Sequence, residues 1–242
     1  MHKPDLARDS MAVVVLGGFE PIKITPRWLR QENLIGPEDY ESFEVEIISS
    51  SATIVTFDTI QVKALPDTLQ VGSDTSADAE AVRDLAVGIL LSGGATEVAA
   101  LGINRMVHFS ADSGRNHIIG DSLAPKDMWS EVLPLAGLQN LNIRGARDDG
   151  YGGAVNVQVQ PSVIIPSGVF VSVNDHYNLT RAPTPTDRDS VFDPEQNKPQ
   201  RSPEKVAVAR DILINDFGAS RLRAQSIVEH VVTLGRRGGT TE

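Results

Sequence analysis

Met11-Ala-Val-Val-Val-Leu-Gly17, followed by Thr25-Pro-Arg-Trp-Leu29, decides the reading of this chain because the pattern recurs roughly a hundred residues later. There, Glu97-Val-Ala-Ala-Leu-Gly-Ile-Asn-Arg-Met-Val-His-Phe109 precedes Ala124-Pro-Lys-Asp-Met-Trp129. Each stretch begins with an apolar run of strand character. A proline then opens a short helical segment, where its missing N–H costs no hydrogen bond. The chain's two tryptophans, Trp28 and Trp129, sit in these segments. Three strand-like runs and a longer amphipathic helix follow each. The order predicts an α+β protein of two similar halves, each a strand, a short helix, three mainly antiparallel strands and a long covering helix.

In the first half the strands are expected near 11–17, 43–49, 52–64 and 67–72. Phe43-Glu-Val-Glu-Ile47 and Ile60-Gln-Val-Lys-Ala64 alternate apolar and polar residues, so each shows one face to a core and one to water. Leu65-Pro-Asp-Thr68 is turn chemistry. The helix that follows has Asp74, Thr75, Ser76 and Asp78 to cap it, a stripe of Val82, Leu85, Ala86, Ile89 and Leu90, and Ser92-Gly-Gly94 to end it. In the second half, 97–109 is a strand and 118–133 a helical stretch broken at Pro125. Leu138–Arg144 and Ala154–Val159 form a hairpin around Asp148-Asp-Gly-Tyr-Gly-Gly153, and 169–174 is a further strand. Ser202-Pro-Glu204 reads as a helix start. Gly218 is expected to break that helix before a last one carrying Leu222, Ile227, Val231 and Leu234.

The domain reading is therefore 11–94 for one half and 95–180 plus 202–234 for the other. Residues 1–10 read as a disordered extension, with Met11 as an alternative start. Residues 181–201, rich in Pro, Asp, Ser and Thr, read as a flexible acidic loop, and 235–242 as a frayed tail.

A chain of 242 residues buries roughly 70–75% of its unfolded surface. It has no cysteine, which removes disulfides, zinc–thiolate sites and cysteine nucleophiles, and suits a reducing compartment. Asp and Glu number 32 against 22 Lys and Arg, a formal charge of −10. That balance disfavours nucleic acid and anionic membranes, and no apolar run approaches the ~20 residues of a membrane span.

The signals for chemistry are sparse. None of the five histidines has a second histidine at i+2 or i+4, so no metal site is expected on one strand or helix face. His176, beside Asp175 and Tyr177 at a strand end, is the leading candidate for a general acid or base, with Asp175 and His108 behind it. The competing reading is a polar cluster that ends a strand by bonding its own backbone. Asn104 and Asn174 are candidates for a buried amide pair. Asp187–Glu195 lacks the ligand spacing and glycine of a calcium loop. Gly17-Gly18 is not followed by a helix start, and no phosphate-binding glycine motif occurs, so no cofactor is expected.

Leu16-Gly-Gly-Phe-Glu-Pro-Ile-Lys-Ile-Thr-Pro-Arg-Trp-Leu29, with Ala99-Ala-Leu-Gly-Ile-Asn104, resembles a scattered group of uncharacterised bacterial proteins of similar length, over about the first 110 residues. The resemblance implies a bacterial source and carries no activity or site residues; the acidic loop at 181–201 is not expected to be shared. Taken together, these readings predict a non-catalytic interaction or assembly protein of the bacterial cytoplasm, working through its sheet and helix surfaces with a protein partner or as a homo-oligomer. The alternative is a small-molecule-binding protein or enzyme with a pocket between a curved sheet and long helices.

Overall fold

A computed structural model describes residues 6–111, 115–181, 191–193 and 200–237. The elements run β1 (Leu6–Phe19), α1 (Pro26–Gln31), α2 (Pro37–Ser42), β2 (Glu44–Ile48), β3 (Thr53–Phe57), β4 (Ile60–Leu65), β5 (Thr68–Ser73) and α3 (Ala79–Leu91). They continue with β6 (Ala95–Ser110), α4 (Arg115–Leu123), β7 (Leu141–Gly145), β8 (Tyr151–Pro161), β9 (Gly168–Arg181), α5 (Glu204–Asn215) and α6 (Phe217–Arg237). The class is α+β, as the sequence predicts. All nine strands join one antiparallel sheet in the order β2-β3-β4-β5-β1-β6-β9-β8-β7. In each half the first strand pairs with the last, and the two first strands, β1 and β6, pair with each other at the centre.

Valines and isoleucines form the sheet because β-branched side chains pack well on a pleated surface. One cross-strand row reads Val55, Val62, Val71, Val13 and Ile103, and then meets Asp175. This face is covered by helices: α3 lies on β5 and β1, α5 on β6, and α6 on β6 and β9. The apolar stripe of α3 is buried as its spacing predicts, and Gly93 at φ 74° ends the helix. A second cluster, from Val107, Phe109, Val159, Val169 and Val171, is closed by Ile119 of α4 and Ala224, Val228 and Val231 of α6.

Several expectations change. The run 52–64 is two strands, split at Asp58, whose φ of 50° makes the hairpin turn. Residues 6–10 are not a disordered extension. They extend β1 against Met106–Phe109, where Asp9 pairs with Arg105 at 2.8 Å, so Met11 lies inside a strand. The second half ends in two helices, and the break falls at Asp216; Gly218 lies within α6. Helix α4 ends at Leu123, and the chain from 126 to 133 makes turns.

The tryptophans do not correspond. Thr25 caps α1 by accepting the Trp28 amide at 3.3 Å, and Trp28 packs against the first core beside Leu29. Gly88 lets Leu34 nest against α3: a Cβ there would lie 2.5 Å from Leu34 Cδ2. Trp129, by contrast, is 52% exposed. The shared pairing order of the halves is thus not accompanied by a shared tryptophan environment. Most of 181–201 and residues 238–242 of the predicted tail lie outside the described residues. Within the former, Val191 is buried and its carbonyl accepts from Arg144 Nε at 3.0 Å.

Candidate functional site

Strand side chains alternate between faces, so the sheet presents a second surface opposite the helices. Among the described residues the long helices α3, α5 and α6 all lie on the opposite face, and the helical Val191–Phe192 segment reaches this one at Arg144. Its central row reads Arg144, Asn156, Asn174, Asn104, Ala12, Gly72, Gln61, Thr56 and Glu44 across all nine strands. The neighbouring row carries Asn142, Gln158, Ser172, Met106 and Ser10, and the next Gln160, Phe170, His108 and Arg8. On the other side of the centre lie Ala154, His176, Gly102 and Val14. Over β6, β9, β8 and β7 these rows contain amides, a serine hydroxyl, small residues, two histidines, Met106, Phe170 and Arg144, and no carboxylate.

Three asparagines form a ladder. Asn156 Nδ2 donates to Asn174 Oδ1 at 3.1 Å, and Asn174 Nδ2 donates to Asn104 Oδ1. Gly102 makes room for it: a Cβ there would come within 2.9 Å of Asn174 Nδ2. The ladder fixes which end of each amide is donor and which is acceptor, so the row presents a set order of hydrogen-bonding groups. Between β5 and β1, Gly72 and Ala12 leave a trough bordered by Gln61, Gln70, Ser10 and His108, an open groove of about 780 Å³. A smaller concavity of about 370 Å³ lies over Asn142, Arg144, Asn156 and Ser172, with Phe192 at its side.

The catalytic candidates do not assemble. His176 and Asp175 are adjacent on one strand and face opposite ways. Asp175 points to the helices, where it is paired with Arg147 and Arg223. Arg147 is buried, also binds Asp149, and lies over the Tyr177 ring at 3.5 Å from its centre. Burial, then the neighbouring Asp175 carboxylate, push the Tyr177 hydroxyl up to about 12. This cluster ties the β7–β8 loop, β9 and α6 together. His176 is on the face opposite the long helices between Ala154 and Gly102, and burial, then Arg144 and Arg147, lower its pKa, favouring the neutral ring.

His108 shares that face. Its Nδ1 is 2.9 Å from Ser162 Oγ, and its ring leans on Phe170 with centroids 4.6 Å apart. The Ser162 oxygen already accepts the amides of Ile164 and Ile165 at 3.2 and 3.0 Å, which is turn capping. Burial and then Arg8 lower the His108 pKa, so the imidazolium that a general base must form is disfavoured there. The His108–Ser162 pair therefore reads as structural.

Asn104 and Asn174 do meet, as cross-strand partners. Asn156, Gln158 and Ser172 were not singled out from the sequence, although the alternation of Ala154-Val-Asn-Val-Gln-Val159 places Asn156 and Gln158 on one face. Arg147 and Arg223 carried no local signal. Among the described residues, no group of three His, Cys, Asp or Glu side chains is arranged to hold a metal ion. No helix described is long and apolar enough to cross a membrane. The chain matches no protein-family model and no curated protein.

Proposed function

We propose that the chain is a binding protein whose recognition surface is the face of the sheet opposite the long helices, and that its partner is a protein segment rich in polar groups. The observation that carries this reading is the carboxylate-free, amide-lined stretch over β6, β9, β8 and β7. A face that is merely solvated is expected to carry long Lys and Glu side chains on its alternate positions, in keeping with a chain that is 22% charged. Short neutral donors and acceptors held in a ladder suit direct contact instead, because their order is already fixed before a partner arrives. Arg144 at one end of the ladder already donates to the Val191 carbonyl and to Asn156, so it extends the ordered row.

A pocket between sheet and helices is the rival. Cavities described on that side hold about 160 and 170 Å³, below the ~300–1,000 Å³ usual for small-molecule sites. Duplex nucleic acid needs several cations along its backbone. On this face Arg8 is already paired with Asp74, and Glu44 closes the central row.

The test compares retention of partners from the native host by the wild type, by Asn104→Arg with Asn174→Arg on this face, and by Arg210→Glu on exposed α5. A protein held by wild type and Arg210→Glu, and lost from the double variant, supports the reading. Equal retention by all three overturns it, as does tight binding of duplex or single-stranded DNA in a parallel filter assay.

A further inference from the structure

The turn segment after α4 presents large apolar side chains to water. Leu135 is 103% exposed, Val132 75%, Met128 74% and Trp129 52%. They lie within one short segment: the Trp129 and Ser130 amides both bond to the Lys126 carbonyl, and those of Val132 and Leu133 to the Trp129 carbonyl, so 126–133 coils on itself in consecutive turns. Directly beside this knob is a hole of about 160 Å³, lined by Ile119, Leu138, Val159 and Val169 and widened by Gly120 and Gly168. Its mouth is open, and Asn116, His117, Gln160 and the Asp121–Lys126 pair complete its lining around the apolar floor. Val163 and Ile164, also exposed, stand on the turn that flanks the far rim.

We infer that this end of the second half is a self-association surface, and that its occupant is a second copy of this chain, each copy placing its knob in the other's hole. A twofold contact requires that one patch contain both members of the complementary pair, and this patch does. The exposed apolar side chains together offer on the order of 900 Å² per copy, about what one side of a standard interface buries. The knob segment also carries exposed Asp127 and Glu131, whose like charges work against the contact at low salt; Lys126 is paired with Asp121 at 2.8 Å, and repulsion is screened over about 8 Å at physiological salt. The first half shows the same kind of segment satisfied, since α1 buries Leu29 and packs Trp28 against its own core. The inference is independent of the reading of the sheet face opposite the long helices, which lies elsewhere.

Sedimentation from about 1 to 100 µM tests it. Wild type is expected to dimerise within that range. Leu135→Asp with Val132→Asp removes the knob, and Gly120→Leu plugs the hole from a position where a Cβ meets only Leu138 Cβ at 3.5 Å. Each should weaken association by about 100-fold or more. Leu222→Asp, at a site on α6 that is equally open, should leave it unchanged. Thermal melts matching wild type at a concentration where wild type is itself monomeric show that the knob variants are folded. A wild type that stays monomeric throughout overturns the inference. So does dissociation by Leu222→Asp to the same extent, or binding of neutral phosphatidylcholine vesicles by a monomer through Trp129.

Discussion

Asp175 is the residue on which most of the buried charge turns. It interrupts a row of valine and isoleucine, and two guanidinium groups close on it from the β7–β8 loop and from α6. Replacing it with alanine leaves Asp149 to balance both Arg147, which stays buried, and Arg223, and is expected to cost about 3–5 kcal/mol in urea denaturation. His176→Ala, on the opposite face, should cost only about 0.5–2 kcal/mol. Acid should also destabilise the fold, in two steps. His176 and His108 have folded pKa values below 6.5, so the unfolded chain binds their protons first, and stability declines as pH falls through 6.5. Burial alone would raise Asp149, but the hydrogen bond and charge of Arg147 more than offset it and hold it low. Its contribution is present above 3.8 and is lost as pH falls below that value. A His176→Gln, His108→Gln double variant should flatten the first step and leave the second. At this scale the sequence showed Asn104 and Asn174 as a pair but not their third member, because Asn156 is brought to them by a register that neighbouring residues do not encode. It also grouped His176 with Asp175, although period-two alternation sends adjacent strand residues to opposite faces.

At the scale of elements, the two Pro-Trp segments look alike in sequence and behave differently. Trp28→Ala should cost about 2–4 kcal/mol, as loss of a core-packed aromatic does, whereas Trp129→Ala should leave stability within ~0.5 kcal/mol at concentrations where the chain is monomeric. Iodide quenching of each single-tryptophan protein checks the environments directly, with Trp129 the more accessible. Alternation read β4 correctly, with Val62 and Ala64 buried on one face, but the core face expected of 43–47 is absent: β2 is the edge strand and is exposed along its whole length, Val45 and Ile47 included. Alternation also failed at 52–64, where threonine beside Asp58 kept a strand-like composition through a turn. The break between α5 and α6 was misplaced for a related reason: glycine suggests a helix end, but Gly218 tolerates helical backbone, and the chain bends at Asp216.

For the whole molecule, the expected repeat of one element order does not hold, since the first half has five strands and two short helices before its long helix and the second has four strands and one. Their union in one sheet was not legible either, since β1 and β6 meet across about 90 residues and no local pattern records that. Each half leaves its first strand half paired without the other. Separately expressed fragments 1–94 and 95–242 are therefore expected to be insoluble or poorly folded alone and to recover the circular dichroism and melting transition of the intact chain when co-expressed. Two fragments that each melt cooperatively in isolation would contradict this.

Synthesis gives that central pairing a further consequence. While only the first half has been made, β1 has β5 as a partner for one edge and nothing for the other, and Ala95–Ser110 takes on the order of 1–3 s more to be made. During that interval a strand of 14 residues, with Met11, Val13 and Val15 among its side chains, is open to any neighbour. On a crowded messenger the nearest one is the same strand of the next nascent chain.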